Sequence, residues 1–306
     1  CVVILNSSLR ITEPAILAAN VTSVNVTCFG AGNGSISITS PSGGYGTYEF
    51  TVDGGASWSS AGLFSDLIPG TYDVRIRDAA HTGCERTLNG AIVITQPAVL
   101  TANVTSTNVT CFGASNGSIS ITFPAGGYGT YEYSINGGGS WQPSGLFTGL
   151  VPGNYNVRIR DAANITCVIV LNSALQITQP PVLNATVSAV MITCNGANDG
   201  RINITSPSGG YGTYEYSING GTNWQSSGVF TNLAPGNYDV RIRDAVNTGC
   251  VIILNGALPI TQPAVLNATV SSTNVTCFGA NDGSITILNP TGGYGTYEYS
   301  IDGAVW

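Results

Sequence analysis

Eight cysteines are the residues with the most chemistry to offer. They stand at 1, 28, 84, 111, 167, 194, 250 and 277, and the intervals between them alternate between 27 and 56. Thiols placed so regularly can ligate a metal, act as nucleophiles or form disulfides. Metal ligation fits poorly, because no Cys-x-x-Cys occurs and the chain has a single histidine, His81. Nucleophilic catalysis needs a base beside the thiol or hydroxyl. One period on from His81 the chain carries Asn164, and two periods on Asn247, so no Cys-His or Ser-His-Asp arrangement recurs. The chain also lacks lysine, which removes Schiff-base chemistry and the P-loop lysine. These residues read as non-enzymatic, with no cofactor and no metal. Disulfides remain, since an even, regular set of cysteines marks a secreted framework. Two periodic pairings are open. The 56-residue pairing joins Cys28–Cys84, Cys111–Cys167 and Cys194–Cys250, and the 27-residue pairing joins Cys84–Cys111 and its equivalents. The first is expected, because a small domain staples its own core, and it leaves Cys1 and Cys277 to partners outside this stretch.

The repeated charges come next. Glu49, Glu132, Glu215 and Glu298 occupy one position, the pairs Arg75/Arg77, Arg158/Arg160 and Arg241/Arg243 another, and Asp78, Asp161 and Asp244 follow the arginines. If the Tyr-Glu-Tyr strand lies beside the Arg-Ile-Arg strand, Glu and Arg form a cross-strand ion pair. Arg158, Arg160, Arg241 and Arg243 are also candidate contacts to an acidic glycan or a neighbouring fibre. Tyr45, Tyr128, Tyr211 and Tyr294 sit in a Gly-Gly-Tyr-Gly-Thr segment and are candidate interface residues, since tyrosine is enriched at interfaces. Asn198-Asp199-Gly200 and Asn281-Asp282-Gly283 resemble calcium loops. Their equivalents at Gly32-Asn33-Gly34 and Ser115-Asn116-Gly117 lack the carboxylate, so they read as turns. Asn-x-Ser/Thr triplets at Asn20, Asn25, Asn103, Asn108, Asn164, Asn184, Asn203, Asn267 and Asn274 are candidate acceptors for covalent glycan.

All of these features obey one period of 83 residues. GGYGTYEF at 43–50 returns as GGYGTYEY at 126–133, 209–216 and 292–299, and Trp58, Trp141 and Trp224 keep the same interval. Prolines 14, 97, 180 and 263 close Ile-Thr-Glu/Gln-Pro segments and mark seams. The expected units are 15–97, 98–180 and 181–263, with 1–14 the tail of a preceding unit and 264–306 the first half of another. The chain reads as a stretch of a longer array. Each unit reads as β: residues 118–122, 131–135 and 155–160 alternate polar and apolar, and no stretch carries a helical pattern. Six to eight short strands per unit, punctuated by Gly, Pro and Asn, predict an immunoglobulin-like β-sandwich. Asn136-Gly137 predicts a two-residue hairpin. Leu-x-Pro-Gly-x-Tyr, ending at Tyr72, Tyr155 and Tyr238, predicts a tyrosine corner. The short Pro-containing seams predict a semi-rigid succession of units.

Composition removes further classes. Nine basic and sixteen acidic residues give a net charge of −7, without the basic footprint that nucleic acid requires. No apolar run approaches the roughly 18 residues of a membrane-spanning helix. With charged residues at only 8%, the surface is mostly Ser, Thr, Asn and Gly, with little repulsion to keep copies apart.

Taken in order, Asn-Val-Thr-Cys-Phe-Gly (108–113), Asn-Gly-Ser-Ile (116–119), Gly-Gly leading to Tyr-x-Tyr, Leu-x-Pro-Gly-x-Tyr, the Arg-Asp after it, the second cysteine and Ile-Thr-Gln-Pro resemble the SprB-type repeat of bacterial surface adhesins. The resemblance implies a large secreted surface protein acting in adhesion, gliding or fibre formation. The units here are more alike than repeats of such adhesins often are, which suits a uniform fibre whose partners are copies of itself. The alternative it leaves is a multivalent adhesin that binds polysaccharide.

Overall fold

The computed structural model describes residues 9–306; the expected pairing of Cys1 and most of the 1–14 segment lie outside the described residues. Among the described residues all regular structure is β, with no helix. The first six strands are β1 (Ala18–Val24), β2 (Gly34–Ser42), β3 (Tyr48–Thr51), β4 (Leu63–Leu67), β5 (Gly70–Asp78) and β6 (Glu85–Ile94). They form two three-stranded sheets, β1-β2-β4 and β3-β5-β6. This is the A-B-E and C-F-G arrangement of an immunoglobulin-like sandwich without strand D. The pattern recurs in β7 (Ala98–Thr107), β8 (Gly117–Gly127), β9 (Tyr131–Ser134), β10 (Leu146–Leu150), β11 (Gly153–Asp161) and β12 (Val168–Ile177). It recurs again in β13 (Asn184–Val190), β14 (Gly200–Ser208), β15 (Tyr214–Ser217), β16 (Val229–Leu233), β17 (Gly236–Asp244) and β18 (Val251–Ile260). A last pair, β19 (Ala264–Thr273) and β20 (Ser284–Gly293), forms a hairpin.

Alternation builds the core. In β2, Ile36 and Ile38 point between the sheets and are 0% and 4% exposed, while Ser35 and Ser37 face away. They meet Phe50, Val74, Ile76, Ile92 and Ile94 from the opposite sheet in a single cluster. In the third set Ile202 and Ile204 meet Tyr216, Val240, Ile242 and Ile260 in the same way. Each such side chain contributes about 1.5–3 kcal/mol on burial. The Pro-Gly turn before β5 delivers Tyr72 to its strand, where its hydroxyl donates to the Ile68 carbonyl at 2.8 Å; Tyr238 repeats this on Ala234 at 2.8 Å. The tyrosine corner expected from the sequence is therefore formed.

Asn136-Gly137 does not make the expected two-residue hairpin. The antiparallel partner of Tyr133 is Gln142, so Ser134–Trp141 form a wider loop. The Ser134 hydroxyl accepts from the Gly138 N–H at 2.9 Å, and Asn136 Oδ1 accepts from the Ser140 N–H at 3.0 Å. Side chains close this loop where a tight turn would have used the backbone.

The chain divides into two compact units. The first comprises residues up to Thr107, Ser118–Thr148 and Gly153–Ile177; the second comprises Asn108–Gly117, Gly149–Pro152 and Thr178–Trp306. Each unit mixes residues of successive repeats, because turns of one repeat meet loops of the next.

Candidate functional site

Disulfide geometry defines the site. Cys28 bonds to Cys167 within the first unit and Cys111 to Cys250 within the second, each across 139 residues and each with Cα atoms 5.3 Å apart. The expected pairs Cys28–Cys84, Cys111–Cys167 and Cys194–Cys250 are not formed, and Cys84, Cys194 and Cys277 are free and exposed. The reason lies in the strands. Cys28 follows β1 beside the end of β6: Val26 N donates to Thr95 O at 3.2 Å and Gly30 N to Gln96 Oε1 at 2.7 Å. Cys84 immediately precedes the first residue of β6. Ten extended residues separate the two ends by about 30 Å, far beyond the reach of a cystine. The cysteine after the first strand of one repeat instead meets the cysteine before the last strand of the next.

A buried aspartate organises the loops around each second cysteine. Asp78, Asp161 and Asp244 are fully buried. Asp78 accepts from Tyr45 N at 2.6 Å on one oxygen, and from Ala80 N and His81 N at 2.9 and 3.1 Å on the other. Asp161 binds Tyr128, Ala163 and Asn164, and Asp244 binds Tyr211, Val246 and Asn247, in the same way. One carboxylate thus ties the Gly-Gly-Tyr loop to the loop that carries the cysteine. The Tyr45 N–H, the strongest of its donors, holds the Asp78 carboxyl below the usual carboxylate range. For Asp244 burial pushes the carboxyl up, but the N–H groups of Asn247, Tyr211 and Val246 outweigh it and the net direction is down. The sequence placed these aspartates only at the end of the arginine strand; their role becomes visible in three dimensions.

Two glycines make room for this clasp. At Gly126 a Cβ would lie 2.0 Å from the Val99 carbonyl oxygen. At Gly127, with φ +57°, it would lie 2.3 Å from Asp161 Oδ2. The first tyrosine of Tyr-Glu-Tyr locks the loop from the other side: Tyr131 donates to the Gly126 carbonyl at 3.0 Å, as Tyr48 does to Gly43 at 2.9 Å.

The loop tyrosine so placed reaches into the preceding repeat. Tyr128 donates its hydroxyl to the Val26 carbonyl at 3.5 Å, Tyr211 to Val109 at 3.4 Å and Tyr294 to Ile192 at 2.8 Å. Tyr45 instead lies against His81, ring centroids 4.2 Å apart. All four candidate interface tyrosines therefore make contacts inside the chain, and three of them bond to the preceding repeat. The arginines do so as well. Glu49 stands opposite Arg77 in the β3–β5 register, and Arg77, Arg160 and Arg243 reach Glu49, Glu132 and Glu215 at 2.6 Å. Each guanidinium also lies 4.4–4.5 Å from the ring centre of Trp58, Trp141 or Trp224. The expected ion pair is present, and the tryptophan over it, which the sequence reading did not connect to it, adds about 0.5–1 kcal/mol. Arg241 pairs with Asp239 at 2.6 Å and Arg158 bonds to Asn156 at 3.1 Å.

Asn-Asp-Gly behaves as a turn: Asp199 takes Thr193 N at 2.9 Å, as Asn116 takes Thr110 N at 3.1 Å. Among the described residues no three His, Cys, Asp or Glu side chains gather as a metal site.

Residues 20–57, 103–140, 186–223 and 269–305 match the SprB repeat, at the same 83-residue interval. No curated protein matches the chain. Among solved structures, the three N-terminal domains of the bacteriophage RB49 Highly Immunogenic Outer Capsid protein (Hoc) align at 12% identity and a TM-score of 0.34, over 80% of this chain and 98% of that one. That likeness is too slight to carry an argument.

Two predictions follow from the clasp and the cystines. Gly127→Ala should lower stability by about 2 kcal/mol or more, because it combines backbone strain with a collision. Gly153→Ala, where φ is ordinary and nothing lies within 4 Å, should change stability by under about 1 kcal/mol. Denaturant midpoints compare the two, and equal losses would refute the clasp. The cystines also span overlapping segments, so one backbone cut between Cys28 and Cys250 leaves a covalent path around it. A specific protease site inserted between Gln96 and Pro97 and then cleaved should give one band without reductant and two with it. Two bands without reductant would show that no cystine crosses that seam.

Proposed function

The chain belongs to the SprB repeat family, and from that premise we propose that it is a non-enzymatic structural segment of an extracellular, cell-surface filament or stalk. The folding unit of this reading is the 83-residue repeat, 15–97, 98–180 and 181–263. The observation that carries the proposal is the cystine pattern: among the described residues both disulfides join a turn of one repeat to a loop of the next. A fibre needs its links between units, and this chain places its strongest links there. Cystines persist in oxidising, extracellular surroundings, which supports a surface location. Polar, weakly charged faces suit lateral packing of copies or a glycan coat on the Asn-x-Ser/Thr sites.

Adhesion to polysaccharide, the other reading, loses support from the side chains that suggested it. Arg160 and Arg243 are clamped between Glu and Trp, and the hydroxyls of Tyr128, Tyr211 and Tyr294 are spent on neighbouring carbonyls. Electron microscopy of the assembled protein, paired with a glycan array, separates the two. Ordered filaments that leave the array unlabelled are expected. Dispersed particles that bind a defined glycan would favour the adhesin.

A further inference from the structure

The two cystines decide which part of the chain carries tension. Cys28 and Cys250 stand 222 residues apart along the backbone. Crossing one cystine shortens that distance to 83 residues, either 28–111 or 167–250. Crossing both shortens it further. The route then runs from Cys28 to Cys167, backward along the chain to Cys111, and across to Cys250. Only the 56 residues between Cys111 and Cys167 remain in it.

A stretched tether is limited by its shortest covalent connection, because every longer connection stays slack. The shortest one here leaves out both seams, Gln96-Pro97 and Gln179-Pro180, which lie in the two slack 83-residue segments. It contains β8, β9, β10 and β11. Ile119, Ile121, Tyr133, Val157 and Ile159 on these strands are between 0% and 5% exposed. The segment therefore lengthens only when these side chains are drawn out of the sandwich core into water. Fully drawn out, its 56 residues span about 190 Å at ~3.4 Å per residue, where the whole backbone from Cys28 to Cys250 would span about 750 Å.

We infer that the chain is a strain-limited tether: tension bypasses the seams and runs in reverse through the middle repeat, and reduction of the cystines releases the stored length. Each seam then serves to bring cysteines together, and the load falls on the sandwich core between Cys111 and Cys167. Release is thiol–disulfide exchange with a small dithiol. One thiolate of the dithiol attacks a cystine sulfur and expels the other sulfur as a thiolate. The second thiolate of the dithiol then attacks the mixed disulfide and frees the first cysteine. Per cystine, one dithiol is oxidised to its cyclic disulfide and its two protons end on the two protein thiols. The inference rests on the covalent pattern alone and holds whether or not copies assemble into filaments.

The test stretches the full chain by its two termini in optical tweezers, after the free thiols of Cys84, Cys194 and Cys277 are capped by alkylation. Without reductant the fully extended chain should be about 560 Å shorter than after a dithiol is added. Equal lengths overturn the inference. The double variant Cys28→Ser/Cys167→Ser leaves 28–111 as the shortest connection, so the oxidised chain should extend about 90 Å further. No change in that length also overturns it. Two protease-site insertions, each compared with its own uncleaved form, locate the load. Cleavage between Gln96 and Pro97 should leave the tether whole and its extended length unchanged. Cleavage between Gly139 and Ser140, both exposed in the loop after β9, should leave it whole but longer. Rupture after the seam cut, or no lengthening after the loop cut, places the load elsewhere and sinks the inference. Where an insertion keeps the cystines from forming, the unmodified chain and the double variant decide. Filaments built from a chain that fails these tests leave the filament reading intact, and a chain that passes them without forming filaments removes that reading alone.

Discussion

A disulfide spans Cα atoms about 4.4–6.8 Å apart, whereas the two cysteines of one repeat stand at opposite ends of a ten-residue strand. That mismatch of lengths governs the rest of the structure. It forbids a staple inside the sandwich, and the two bonds that form each cross a junction. Each bond closes a segment of 139 residues, worth about 5 kcal/mol apiece in the chain-entropy model. The two segments share residues 111–167, so their contributions do not simply add. Overlap gives continuity: between Cys28 and Cys250 the chain has two covalent routes.

Such a bond forms only if a thiol, a tyrosine and a loop arrive together at one end of the sandwich. The buried aspartate brings this about. By accepting from both loops it fixes the tyrosine that grips the preceding repeat and the segment leading to the cysteine. The paired glycines let the backbone pass close enough for that carboxylate to reach. At the opposite end, glutamine does the matching work. Gln96, Gln179 and Gln262 accept from Gly30, Gly113 and Gly196 and hold the cysteine-bearing turn against the last strand. In Ile-Thr-Gln-Pro the sequence drew attention to the proline at the seam, while the glutamine before it acts as a clamp.

Much of this was legible in the sequence. The period, the strand alternation around Ile36 and Ile38, the corner at Tyr72 and the pairing of Glu49 with Arg77 all follow from local pattern and strand adjacency. The cystine partners did not, because they depend on which end of the sandwich each loop occupies. With strand D missing, counting strands gives the wrong end for Cys84. The chain makes the extra reversal in the loop after β3, where Ser59 bridges back to Phe50, and that loop does not read as a strand. The grip of Tyr128 on Val26 was hidden for the same reason, since it joins residues 102 apart. Met191 stands where other repeats have asparagine. Its sulfur takes the Thr261 N–H at 3.3 Å, a substitution that no pattern foretold.

The central claim is that cystines join successive repeats, and disulfide mapping after trypsin without reductant tests it most directly. Cleavage at the nine arginines puts Cys28 in 11–75, Cys84 in 78–86, Cys111 in 87–158, Cys167 in 161–201 and Cys250 in 244–306. The structure predicts 11–75 linked to 161–201, and 87–158 linked to 244–306. A link between 11–75 and 78–86 would place the bond inside one repeat and contradict the account.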